Sequence, residues 1–142
     1  MKRLFILVAI IFSFTAFLTS CEKEENTNNT AYTTNILQQG QWIVTLLKEN
    51  GTDQTESMKD FEFSFSPNGN VTVTKPGISS SQTGLWNVYD NNNQPILYLN
   101  FNNVFIFNLL NNDWRIIEQN NNLIRMESTN NGWTDLLTLV RI

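Results

Sequence analysis

The stretch Phe61-Glu62-Phe63-Ser64-Phe65-Ser66 alternates without exception, and it constrains this chain more than any other feature. A period of two places three Phe on one face and Glu62, Ser64 and Ser66 on the other, the pattern of a half-buried strand and not of a helix. Pro67-Asn68-Gly69 follows as a turn whose Gly tolerates positive φ. Val71-Thr72-Val73-Thr74 then returns, ended by Pro76-Gly77. A β-hairpin is therefore expected over 61–74.

The same pattern recurs at 41–47, 85–89, 96–101, 114–119, 123–127 and 136–141, punctuated by Asn, Gly and Pro. Pro95 takes the first position of its strand, where a missing N–H costs least. Residues 104–110, VFIFNLL, fit either a further strand or an apolar turn capping one end of the core. Most connections are too short for a parallel crossover, which needs a dozen or more residues. The longest, 49–59, is polar and carries Asn50-Gly51. Each strand is thus expected to pair with the next, in an all-β antiparallel meander of about eight strands. Closing it into a small barrel removes both exposed edges. Eight strands enclose an interior just wide enough for side chains or one small ligand. A two-sheet sandwich would need crossings that these turns make awkward. Strands of about 6 residues, against the 9–11 of a membrane-spanning barrel, argue against that architecture.

The first residues have a different character. Met1-Lys2-Arg3 is basic, residues 4–19 carry no charge, and Ser20-Cys21 follows, the layout of a secretory signal. The apolar run is shorter than the roughly 20 residues a membrane-spanning helix needs. Leu18-Thr19-Ser20-Cys21 resembles the bacterial lipobox. That resemblance implies cleavage before Cys21, diacylglycerol on its sulfur, a further acyl chain such as palmitate on its α-amine, and a membrane anchor through those lipids. It also accounts for the lone Cys. Glu22-Lys23-Glu24-Glu25 resembles the export signal of Bacteroidota surface lipoproteins, and the Asn content (22 of the 122 residues from Cys21 onward) fits that group. Outer-membrane attachment with display at the cell surface is expected, the inner leaflet being the alternative. The expected division is a signal peptide over 1–20, a lipidated Cys with a flexible tether over 21–35, and one domain over 36–142.

Composition narrows the chemistry. The chain has no His, which removes the commonest general base, and one Cys, which rules out an intrachain disulfide or a thiolate zinc site. Without residues 1–20 it carries 7 basic against 13 acidic side chains, a net −6 that repels nucleic acid. A monomer is expected.

Gly40-Gln41-Trp42 follows a short helix-capable piece, Asn35 to Gln39, and resembles the G-x-W signature that opens the lipocalin barrel. The resemblance implies that Trp42 plugs the closed end and that Arg141 packs over its ring as a cation–π, barrel-closing pair. Together with Phe61-x-Phe-x-Phe, Asn68-Gly69, Gly84-x-Trp86, Asp113-Trp114 and the last strand, it is similar to the small lipocalin-like domains of Bacteroidota lipoproteins, over residues 36–142. The chain departs from secreted lipocalins in lacking a T-D-Y stretch and a disulfide pair, and in being shorter.

Alternation places Trp42, Val44, Phe61, Phe63, Phe65, Val71, Val73, Trp86, Val88, Leu97, Leu99, Phe101, Trp114, Ile116, Ile124 and Met126 inward. Two readings stay open. Either these bulky residues fill the lumen, or Phe61, Phe63, Phe65, Trp86, Leu99, Phe101 and Trp114 line an apolar cup, open opposite Trp42, for a lipid or sterol-like molecule. For catalysis, Glu62 falls outward. Glu118 shares parity with Trp114 and Ile116, so it is either an inward acid near one end or a rim carboxylate paired with an Arg. Arg115 and Arg125 face outward over their own stems. The Asn/Asp runs at 90–93, 111–113 and 120–122 lack D-x-D-x-D spacing and read as turns, not a metal site. No catalytic residue, metal or cofactor is expected. The leading expectation is a non-enzymatic envelope lipoprotein that binds a small hydrophobic ligand or serves as an accessory binding module. The alternative is a filled-core protein that docks a partner through Tyr89, Tyr98, Trp133 and the 49–59 loop.

Overall fold

A computed structural model describes residues 29–102 and 104–142, with the backbone alone at Asn130. The signal, Cys21 and residues 22–28 lie outside the described residues. The chain runs as helix α1 (Thr30–Leu37), strands β1 (Trp42–Glu49) and β2 (Thr52–Asp53), the 3-10 turn η1 (Thr55–Ser57), β3 (Glu62–Phe65), β4 (Asn70–Thr74), β5 (Gln82–Asn91), β6 (Gln94–Asn100), the 3-10 turn η2 (Phe105–Leu110), β7 (Asn112–Asn120), β8 (Leu123–Asn130) and β9 (Trp133–Arg141). From β3 to β9 every strand pairs antiparallel with the next, and β1 joins β3 to β9. The result is a closed, eight-stranded up-and-down barrel of lipocalin-like architecture.

The tiny β2 belongs to that wall. It pairs with Lys48 and Glu49 of β1, while β3 pairs with Trp42 and Ile43 further down the same edge. Between them η1 fills the gap: Leu47 N–H donates to Thr55 Oγ1 (3.0 Å), and Gln54 N–H donates to the Leu47 carbonyl (2.8 Å). Met58, fully buried, follows directly. The polar 49–59 segment is thus no free loop but an interrupted eighth strand.

Turn chemistry sets the registers. Asn50-Gly51, Asn92-Asn93 and Asn131-Gly132 all have positive φ at both positions. Each joins directly paired strands, the two-residue hairpin whose twist matches the flanking sheet. The Asn runs serve these turns and their neighbours, as when Asn93 N–H donates to Asp90 Oδ1 and Asn122 N–H to Asn120 Oδ1.

Both ends of the barrel are covered. At the Trp42 end lies α1, whose N-terminus is capped by Asn29 Oδ1 accepting from Tyr32 N–H at 2.6 Å. The Thr33 hydroxyl, fully buried, donates to Gln119 Oε1 (2.8 Å), and Trp42 Nε1 donates to the Leu37 carbonyl (3.0 Å). The helix begins at Thr30, so residues 30–35 of the span expected as tether are helical and the helix starts ahead of the expected piece at 35–39, because polar side chains of α1 find partners on β7 and the following turn. At the opposite end η2 forms the cap, which resolves residues 104–110 in favour of the apolar turn.

Strands are also longer than the pattern predicts, 10 residues in β5 and 9 in β7 and β9. Length therefore no longer argues against a membrane barrel. The distribution of side chains does: Arg115, Glu118, Arg125 and Asp113 face out while the interior is apolar, the reverse of a membrane-spanning wall.

Of the expected inward set, all but Phe61 and Val88 are buried, and those two pack half-buried against the same core. Close packing makes one glycine indispensable. A Cβ on Gly84 would lie 2.5 Å from Cδ1 of Phe101 and 2.9 Å from the Asn100 carbonyl oxygen, and Phe101 is fully buried. Gly84→Ala is expected to cost about 1–3 kcal/mol by overpacking. Urea unfolding should show a lower midpoint at unchanged slope, partly restored by adding Phe101→Leu.

Candidate functional site

The barrel's interior is occupied by its own side chains. Phe63 meets Phe101 and Phe107 edge-on at 6.3 and 6.2 Å between centroids, and Phe101 meets Phe107 at 5.3 Å. Trp42 and Trp114 are fully buried, with Trp114 Nε1 donating to the Leu110 carbonyl at 2.9 Å. Phe65 packs edge-on against Trp86 (5.3 Å), whose Nε1 donates to the Ser66 carbonyl. Such contacts satisfy both the apolar surface and the indole donors of these rings. Thus six of the seven residues expected as ligand lining, Phe63, Phe65, Trp86, Leu99, Phe101 and Trp114, are packed core.

An apolar groove of about 490 Å³ instead lies at the rim opposite Trp42, between the β4–β5 connection and η2. Phe61, Val73, Val104 and Phe107 contribute its apolar base, with Ile78, Phe105 and Ile106 beside them and Thr74, Lys75, Ser80 and Gln82 as polar members. The 3-10 geometry of η2 explains how one short apolar run serves both core and groove. With three residues per turn, positions i and i+3 share a face. Phe107 and Leu110 are 1 % exposed, whereas Phe105, two residues before Phe107, is 91 % exposed. Phe107 closes the core by an edge-on contact with Phe61 at 5.0 Å. Asn111 ties the end of η2 down, its Oδ1 accepting from Phe101 N–H at 2.7 Å.

Lys75 marks the polar side. Its Nζ is 5.6 Å from the Phe61 ring centroid and 3.0 Å from Asp60 Oδ2. The hydrogen bond from Lys75, and then its charge, hold the Asp60 carboxyl below its ordinary value. The pair is complete above the usual carboxylate range and is lost as pH falls through the lowered Asp60 value, which frees Lys75 at acid pH.

The remaining sequence candidates fall elsewhere. Trp42 and Arg141 are direct partners across the closing β1–β9 ladder. The guanidinium, however, donates to Gln39 Oε1 (3.2 Å) and Asn122 Oδ1 (2.8 Å), and the cation–ring contact found among the described residues is Lys75 over Phe61. A register shift between Ile116 and Glu118 turns Ile117 and Glu118 outward and Gln119 inward, since a bulge reverses the parity beyond it. Glu118 therefore pairs at the surface with Arg125, and Glu127 with Arg115. Glu62 points outward, half-buried. Only Phe61 of the expected lining reaches the groove. Ile78 and Phe105 were missed. A three-residue period within VFIFNLL is the one signal that could have exposed Phe105.

The two faces of η2 predict opposite outcomes. Phe107→Ala should cost about 3–5 kcal/mol as a core truncation. Phe105→Ala should stay within about 0.5 kcal/mol, as surface changes do. Urea denaturation of both variants checks this.

No family model and no curated protein matches the chain. Among solved structures it is similar to Japanin from Rhipicephalus appendiculatus bound to cholesterol, at 12 % identity over 72 % of this chain and 74 % of that one, with a TM-score of 0.48.

Proposed function

We propose that this protein is a lipid-anchored envelope lipoprotein of the Bacteroidota type, held in the outer membrane through Cys21 and displayed at the cell surface. Its barrel acts as a binding module and performs no catalysis. The binding element is the rim groove, and the ligand is a small hydrophobic molecule laid against Phe61, Ile78 and Phe105 instead of one swallowed by the lumen. The observation that carries this reading is Phe105, a large apolar side chain held 91 % exposed beside an apolar groove of about 490 Å³. That volume falls within the range of small-molecule sites. Burial of apolar surface supplies the driving force at roughly 25 cal/mol per Å². The groove is built on η2 and the hairpin β3–β4, so binding requires no opening of the barrel.

A second reading is favoured by the same exposure: Phe105 and Ile78 form the apolar centre of a protein-docking surface, with the chain acting as an accessory subunit. Native mass spectrometry of residues 22–142 with an envelope lipid extract separates the two. A discrete adduct that disappears in Phe105→Asp supports the ligand reading, and an adduct that survives this substitution removes the groove from it. A clean apo mass favours the partner.

The anchor has its own test. Mass analysis of the full chain expressed in a bacterial host should find a diacylglyceryl group and an added acyl chain on the peptide beginning at Cys21. Cys21→Ser should abolish labelled-palmitate incorporation and release the protein from the membrane fraction. An unmodified Cys21 peptide overturns the lipoprotein assignment.

A further inference from the structure

Lys75 stands where the strand pattern calls for an apolar residue. Phe63 and Val73 are ladder partners that face the core, and Glu62 pairs with Thr74 in the next step of the same hairpin. One step further, Phe61 and Lys75 lie opposite each other and share the parity of the inward pair. Both are half-buried, at the mouth of the barrel opposite Trp42. The charge is accommodated there by holding the ammonium over the Phe61 ring, 5.6 Å from its centroid.

That position makes Lys75 a wall shared by two grooves. On one side is the apolar groove with Phe61, Ile78 and Phe105. On the other is a smaller one, about 370 Å³, that takes in Ile43, Lys59, Asp60 and Glu62. The carboxylates fall on the second side. Among the described residues lining the apolar groove, Lys75 alone is charged, and the other polar members, Thr74, Ser80 and Gln82, are neutral. Asp60 accepts from the ammonium at 3.0 Å, but the two side chains are 38 % and 54 % exposed. Such a pair is weak, and it engages one of three N–H donors, so it orients Lys75 and leaves donors for a ligand.

An ammonium donates and never accepts, so the ligand group that meets it must be an acceptor. An anionic acceptor gains roughly twice what a neutral hydroxyl gains. A cationic head is repelled. In an apolar site a few placed polar groups set orientation and selectivity, and Lys75 is the strongest of them here.

We infer that Lys75 reads the head group of the ligand in the rim groove and selects a single-chain amphiphile with a carboxylate head, its hydrocarbon chain laid against Phe61, Ile78 and Phe105. The inference rests on the groove being the binding element. It adds which class of hydrophobic molecule enters and which residue distinguishes it from a neutral one.

The test is calorimetric titration of residues 22–142, which hold the whole closed barrel, with decanoate, decanol, decyltrimethylammonium and decyl phosphate at neutral pH, each below its micelle concentration. Decanoate should bind about tenfold more tightly than decanol, the lower end for a hydrogen bond to a charged group, and the ammonium should bind more weakly than decanol. Lys75→Met keeps an unbranched side chain and removes the charge. It should bring decanoate to the level of decanol and leave decanol binding unchanged, which also shows that the variant is folded. Lys75→Arg should retain the preference, and Lys75→Glu should reverse it toward the ammonium. Decanol binding as tightly as decanoate, with both lost in Phe105→Asp, overturns the role of Lys75 while leaving the groove as the binding element. A preference for decanoate that survives in Lys75→Met overturns it as well. Tighter binding of decyl phosphate than of decanoate overturns the carboxylate assignment in favour of a phosphate head. Failure of all four to bind overturns this inference and the groove reading together.

Discussion

Closure of the sheet through the β1–β9 ladder is the constraint on which everything else rests. Eight paired strands bent into a ring leave no edge for another chain to add to, and they fix an interior whose width is that of a few side chains. Either a ligand or the protein's own residues must occupy that volume, because empty space forfeits dispersion contacts on every side. Here the protein's aromatic residues occupy it. Phe63 meets Phe101 and Phe107 edge to face while those two rings meet at a tilt of 43°, Trp42 and Trp114 fill the space with their donors satisfied by carbonyls of Leu37 and Leu110, and Gly84 is reduced to a hydrogen where the Phe101 ring passes.

Filling the lumen moves any recognition to the outside, and the ends and walls show how. Both plugs are short helical segments whose inner face completes the core. At the Trp42 end α1 is tied down by polar contacts from Thr33 and Tyr32, which leaves it little apolar surface to offer. At the other end η2 is held by Phe107, Leu110 and Asn111, and its tight turn throws Phe105 into solvent. The outer wall follows another logic: charged residues pair across strands, Arg115 with Glu127 and Arg125 with Glu118, and Ile96 is buried with Tyr89 and Arg115 as its ladder partners. Thus one barrel carries an apolar rim and a polar wall, two surfaces of different chemistry at different places.

Much of this was legible from residue pattern alone. Strict alternation at 61–66, the turn at 67–69 and the short Asn/Gly connections determined an antiparallel meander, and the edge problem of such a sheet determined its closure. The inward set read from parity all faces the observed core, with Phe61 and Val88 half-buried at its margin, because side-chain direction in a regular strand depends only on position. What parity could not see were the register shifts in β1 and β7. A bulge costs one residue and leaves no mark in hydrophobicity, so Glu118 and Gln119 exchange faces unannounced.

Tertiary structure alone decided whether the lumen was full. Sixteen bulky inward residues are compatible with a packed core or with a lined cup. The difference lies in barrel radius and in how rings from opposite walls meet. It also decided where the N-terminal helix begins, since Thr33 is ordinary tether composition until Gln119 receives its hydroxyl. The same holds for Phe105, whose type is plain in the chain: its exposure depends on the three-residue turn geometry of η2 and on the burial of Phe107 and Leu110 in the core, relations that exist only once distant segments have been brought together.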